Sequence, residues 1–151
     1  GVYNRFGMER HFAEIKRKCM MSRISMQLSF IDLDNLKTIN DCYGHEAGDE
    51  IINAAARILQ EESGKYYVTR YGGDEFIVMG TVHDEQEIEE YWQRVKDRIS
   101  EYNSDDKKAK LSLSCGYEVF KVEAKTSLED CIRVTDRKMY DEKKRKKQEQ
   151  G

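Results

Sequence analysis

The sequence contains no proline, and its longest uninterrupted apolar run is four residues, Phe76 to Met79. A membrane helix needs about 20 such residues, so none is legible here. The first residues carry no basic-then-apolar leader pattern either. An excess of one charge is also missing. The 26 Lys and Arg face 29 Asp and Glu, a net charge of −3, which argues against a dedicated nucleic-acid binder and against a membrane-surface module. The four cysteines, Cys19, Cys42, Cys115 and Cys131, show no metal-type spacing. They read as reduced thiols of a cytoplasmic protein. Leu, Ile, Val and Phe supply only 31 of 151 residues, near the low edge for a folded chain. Nine Tyr and six Met add apolar bulk, and the small net charge disfavours disorder. The length suits one domain spanning residues 1–151.

What is present is a clear succession of periodic segments, without linker or internal repeat. Residues 2–22 carry Phe6, Phe12, Ile15, Cys19 and Met20 as a rough helical stripe. Met26 to Leu33 reads as a strand with Met26, Leu28 and Phe30 on one face. A short helix is expected over 35–42, opened by Asp34, and a longer one from Asp49, with Asp49 as its N-cap. Tyr66–Tyr71 and Phe76–Val82 flank Gly72-Gly73-Asp74-Glu75, the signature of a hairpin. Residues 84–102 have helical spacing, 110–120 read as a strand, and Ser127 opens a last helix through Met139.

After the first helix this order is β-α-β-β-α-β, the split pattern of ferredoxin-like α+β sheets. A right-handed crossover makes the first two strands of that pattern parallel. The hairpin turn then lies at the same sheet edge as the end of the first strand. Asp32 and Asp34 are thus expected to face Asp74 and Glu75. Four carboxylates at one edge repel one another unless cations sit among them.

The turn Gly72-Gly73-Asp74-Glu75-Phe76 resembles the GGDEF domain of bacterial diguanylate cyclases, which have a palm-like core. A second segment supports the resemblance: Phe30-Ile31-Asp32-Leu33-Asp34-Asn35-Leu36-Lys37-Thr38-Ile39-Asn40-Asp41, followed by Tyr43-Gly44-His45 and Gly48-Asp49. It is similar to the family's D-x-D-x-[FL]-K-x-x-N-D, GH and GD elements. Val2-Tyr3-Asn4-Arg5 resembles the family's L-x-N-R opening, and Ser114-Cys115-Gly116 its S-x-G strand.

The resemblance implies an enzyme that joins two GTP into cyclic di-GMP with release of two pyrophosphates. It implies Asp32, the Leu33 carbonyl and Asp74 as ligands of two Mg²⁺ (Mn²⁺ as an alternative), roughly 3.5–4 Å apart. Asp74 is the implied proton acceptor, with Glu75 in support. The amides of Asn35 and Leu36, with Lys37, are implied for the β- and γ-phosphates. Gly72 and Gly73 leave room for phosphate and permit positive φ. Asn40 and Asp49 are implied as guanine readers, because an amide and a carboxylate match that base edge, and His45 as a further nucleotide contact. Read alone, Lys37 is a solvated charge, His45 a structural side chain and Asp41 structural.

The run Lys143–Lys147 reads first as a solvated helix end. By resemblance Lys143 and Lys147 are phosphate contacts, with Lys147 at a position where the family has Arg. Lys lacks the bidentate fork. The family's R-x-x-D inhibitory pair falls at Ser63 and Tyr66, so no inhibitory site is expected. The implied partners are GTP, a second GGDEF domain facing the first, and an upstream sensory or dimerisation region of a longer, cytoplasmic-facing regulator. A GTP-binding regulatory module without turnover is the alternative. A ferredoxin-like RNA binder is disfavoured by the lack of paired strand aromatics and a basic face, and an adenylyl-type cyclase by Asn40 with Asp49.

Overall fold

The computed structural model describes residues 2–106 and 109–150. Its elements are β1 (Tyr3–Asn4), a 3₁₀ turn (Arg5–Gly7), α1 (Met8–Ser22), β2 (Ser25–Leu33), α2 (Leu36–Tyr43), α3 (His45–Glu61), β3 (Tyr67–Arg70), β4 (Glu75–Val82), α4 (Glu85–Ser104), β5 (Leu113–Phe120) and α5 (Leu128–Gln150). The sheet order is β1-β3-β4-β2-β5. Pairing is antiparallel except between β1 and β3. β2 and β3 both run antiparallel to β4 and are therefore parallel to each other, as the crossover argument requires.

Both faces of the sheet are covered. Met26, Leu28, Phe30, Ile77 and Met79 pack with Met8, Phe12, Ile15 and Cys19 of α1 and with Leu128, Cys131 and Met139 of α5. Ile31, Leu33, Phe76 and Val78 pack on the other side with α3 and with Ile88, Tyr91, Trp92 and Val95 of α4. Period-2 alternation cannot show this, because a strand buried on both faces is apolar throughout. Two polar groups interrupt β2: Ser29 donates to Gln27 Oε1 at 2.8 Å and accepts from Trp92 Nε1 at 3.1 Å. α4 begins where Asp84 accepts from the Glu87 amide at 3.2 Å while Glu87 accepts from the His83 amide at 3.0 Å, which meets two otherwise orphan donors.

Several expected boundaries move. The first helix starts at Met8 rather than residue 2, because Tyr3 and Asn4 pair with Thr69 and Arg70 at the sheet edge. Asp34 does not cap α2. Its carboxylate accepts from Ser112 and Ser114 at 2.6 and 2.7 Å, and the cap position is Asn35, at φ 63°. Asn tolerates this left-handed backbone better than most residues. Asp49 does not open its helix either: α3 starts at His45 after Gly44, whose φ is 90°. The last strand begins at Leu113, not 110, and α4 runs two residues past 102. The last helix continues far beyond Met139, so the lysine run is helical.

Candidate active site

Strand register builds the site. Asp32 lies opposite Glu75 on β4 and Ser114 on β5. All three occupy the row that faces α5, two residues on from the Phe30–Ile77–Gly116 row. The Leu33 amide donates to the Asp74 carbonyl at 3.0 Å, fastening the end of β2 to the hairpin turn. The turn is closed by the Tyr71 amide donating to the Glu75 carbonyl at 2.8 Å and by Arg70 donating to the Gly73 carbonyl at 2.6 Å. Gly72 and Gly73 do not adopt positive φ, which among the described glycines is confined to Gly44 and Gly64. The four-residue link is wide enough to close without a left-handed turn. A side chain on Gly73 would meet nothing within 4 Å, so the backbone there is open to a ligand.

α5 delivers the cations. A Cβ on Gly116 would stand 2.2 Å from the Thr135 carbonyl oxygen and 2.3 Å from the Met139 amide nitrogen. The missing side chain thus lets α5 lie directly on β5. One turn further on, Lys143 Nζ is 3.1 Å from Asp32 Oδ2, 3.5 Å from Asp34 Oδ1 and 3.0 Å from the Leu33 carbonyl. Lys146 Nζ lies 2.8 Å from Asp34 Oδ2 and also donates to the Leu113 carbonyl. Lys147 is exposed and lines a cleft of about 50 Å³ with Asp34, Asn35, Lys143 and Lys146.

The carboxyls differ because their surroundings differ. Burial pushes Asp32 up to about 6, against the pull of Lys143 and with the neighbouring Asp74 adding to the rise. Burial works the same way on Asp34, but hydrogen bonds from Lys146, Ser112 and Ser114 outweigh it and hold that carboxyl below its ordinary value. Glu75 is raised by burial and then by Asp74, with Arg5 among the charges that oppose the rise. The Arg5 guanidinium lies 4.1 Å from the Tyr71 ring centroid and donates to the Tyr71 hydroxyl at 3.0 Å.

Asp32, Leu33, Asp74, Glu75 and Lys143 are therefore brought together, with Asn35 and Lys147 bordering them. Leu36, Lys37 and Asn40 stand on α2 and His45 and Asp49 on α3. Lys37, His45 and Asp49 are exposed. Asn40 packs against Gly48, where a Cβ would be 1.8 Å from Asn40 Oδ1, and that oxygen is buried without a hydrogen-bond partner. Reasoning from sequence missed Lys146, although three-residue spacing from Lys143 puts both on one helix face. It also missed Arg5 and the serines that hold Asp34, whose partners are remote in sequence.

The sequence matches the family described as diguanylate cyclase, GGDEF domain, over residues 1–149. The chain belongs to the GGDEF family. Diguanylate cyclase DosC of Escherichia coli is 33% identical over 126 residues, which cover 80% of this chain and 26% of DosC. The chain thus spans about a quarter of the length of the curated relatives it matches. The GGDEF domain of TpbB (YfiN) from Pseudomonas aeruginosa superposes with a TM-score of 0.84 at 26% identity, covering 95% of this chain and 86% of that one. The active GGEEF domain of a diguanylate cyclase from Vibrio cholerae has the same fold, with a TM-score of 0.82 at 24% identity over 96% of this chain and 93% of its own. The mixed sheet and its flanking helices are thus the palm-like GGDEF fold. Among the described residues no helix is long and apolar enough to cross a membrane.

GGDEF domains of the cyclase type generally need divalent metal ions, and this site fits that need. Asp32 Oδ1 is buried without a hydrogen-bond partner, a cost that a bound cation would remove. Two carboxylates and a backbone carbonyl are hard oxygen donors, suited to Mg²⁺. Among the described residues no three acidic, His or Cys side chains form a metal cage by themselves. Mg²⁺ commonly takes one or two carboxylates and completes its shell with water and substrate phosphate.

Proposed function

We propose that this chain is the catalytic domain of a diguanylate cyclase, condensing two GTP into cyclic di-GMP and two pyrophosphates. The observation that carries the reading is the convergence of Asp32, the Leu33 carbonyl and the Asp74–Glu75 turn beneath Lys143 and Lys146. Asp32, Leu33 and Asp74 would hold two Mg²⁺, or Mn²⁺ in their place. When bound, such ions polarise an α-phosphate and lower the pKa of an attacking 3′-hydroxyl. Asp74 accepts the hydroxyl proton, with Glu75 beside it. The 3′-oxygen bonds to the α-phosphorus of the facing GTP, and the bond to the bridging pyrophosphate oxygen breaks. Lys143, with Lys147, neutralises the leaving phosphates, and the open backbone at Gly73 leaves them room; Gly72, beside the Glu75 carboxylate, completes the turn. The amides of Asn35 and Leu36 and the Lys37 ammonium serve the same charges from the start of α2.

Asn40 and Asp49 read guanine, and His45 borders the base. Asp49 is not a helix cap, so its carboxylate is available for this purpose. Each domain holds one GTP, so two copies must meet face to face. At the position of the family's inhibitory pair, Ser63 and Tyr66 are buried at 4% and 8% exposure, and Ser63 donates to the Gln60 carbonyl at 2.6 Å. Feedback by product through that position is therefore not expected. Lys147 in place of Arg favours the second reading, a GTP-binding module without turnover. Chromatography of products from GTP and Mg²⁺ decides between them. Cyclic di-GMP should form, at a rate per domain that rises with protein concentration; GTP binding without product would leave the regulatory module.

A further inference from the structure

The oxygens that suit a metal ion are held by one of the protein's own cations. Lys143 Nζ contacts Asp32 Oδ2 and the Leu33 carbonyl at 3.1 and 3.0 Å, two of the three groups assigned above to the metal. A divalent ion and an ammonium cannot share those oxygens without strong repulsion at this separation. α5 tethers the ammonium beside the carboxylates at high effective concentration. Lys146 is anchored separately, on Asp34 and the Leu113 carbonyl, so Lys143 can leave without unpairing Asp34. Its long flexible stem permits that swing.

We propose that Lys143 is a tethered counter-cation that occupies the metal position of the nucleotide-free site and is drawn off it when nucleotide phosphates arrive. The proposal rests on the metal-site reading above. Until a ligand arrives, Lys143 spares the half-buried Asp32 the cost of an unpaired charge. Metal alone then binds weakly, because it must displace Lys143 with nothing to receive the ammonium. Metal and GTP bind with positive coupling, each tightening the other by the same factor. A lysine that only contacted phosphate would affect nucleotide affinity and leave the affinity for metal alone unchanged.

The test is Mn²⁺ binding without nucleotide, read from the electron paramagnetic resonance signal of the free ion. Lys143→Met keeps the aliphatic stem and removes the charge. It should tighten Mn²⁺ binding roughly tenfold, the scale of one charge-assisted contact, while weakening GTP binding measured by calorimetry. Lys144→Met removes the same charge from an exposed position on α5 and should change Mn²⁺ affinity far less. Lys143→Gln repeats the measurement if the Met variant does not fold. Unchanged or weaker Mn²⁺ binding in the folded Lys143 variant, or equal tightening by Lys144→Met, overturns the proposal. Asp32→Asn separates the two readings. If it leaves Mn²⁺ binding at the wild-type level, the metal-site assignment itself is wrong. If it removes binding while Lys143→Met fails to tighten it, only the counter-cation is wrong.

Discussion

The two ends of the candidate site are built differently. At the end of β2, the two strand-end carboxylates are tied down, Asp32 to Lys143 and Asp34 to Lys146 and two serines, and the Leu33 amide fastens the hairpin turn. On α2 and α3, Lys37, His45 and Asp49 project from the surface, and Asn40 alone is wedged, against Gly48. On the proposed reading, the first end would be preset for reaction, whereas the exposed groups of the second would settle on the ligand as it binds. Chemistry at a phosphorus atom needs groups fixed in advance. Selecting a base needs only that wrong partners leave polar groups unmatched.

The sharpest way to break this contrast is at the fixed end. Asp74→Ala or Asp32→Asn should lower product formation by roughly a thousandfold or more, while circular dichroism and the thermal midpoint show a folded domain. Retained turnover in either variant would remove these residues from the chemistry. At the open end, Asp49→Ala should reduce the preference for GTP over ATP by ~2–3 kcal/mol, as read by calorimetry. The thermal midpoint should stay put, because Asp49 caps no helix; a fall would restore a structural role. The smallest expected change is in stability. Gly116→Ala forces a methyl group against the Thr135 and Met139 backbone and should cost about 1–3 kcal/mol in denaturant unfolding. Activity should fall further than the unfolded fraction accounts for, since α5 carries Lys143. Wild-type stability would mean that α5 does not rest on β5 as described.

Much of the fixed end was legible from sequence because its signals are local. The Asp32-Leu33 segment ends one strand, the glycine turn joins two others, and topology alone places them at one edge. Helix starts were misread wherever a tertiary partner outbid a local one. Asp34 has the composition of a cap, but Ser112 and Ser114, some 80 residues away, take its carboxylate. Gly44, not Asp49, starts α3, through a backbone angle that only the folded chain displays. β1 has two residues, too few for any periodicity, and exists because β3 offers an open edge. Lys146 and Lys147 share the helix face of Lys143, and only the folded chain shows that Lys146 is the one paired with Asp34.

Trp92 is the sequence's single tryptophan. Its indole is nearly enclosed, donates to Ser29 in the central strand and stands edge-on to Tyr91 at 5.1 Å. The domain therefore carries one indole fluorophore, seated where α4 meets the sheet. Loosening of that seam should shift its emission, and α5 reaches the same surroundings through Glu142, which lines a small cavity together with Trp92. Light emitted from one ring thus reports on the joint where α4, the sheet and the end of α5 come together.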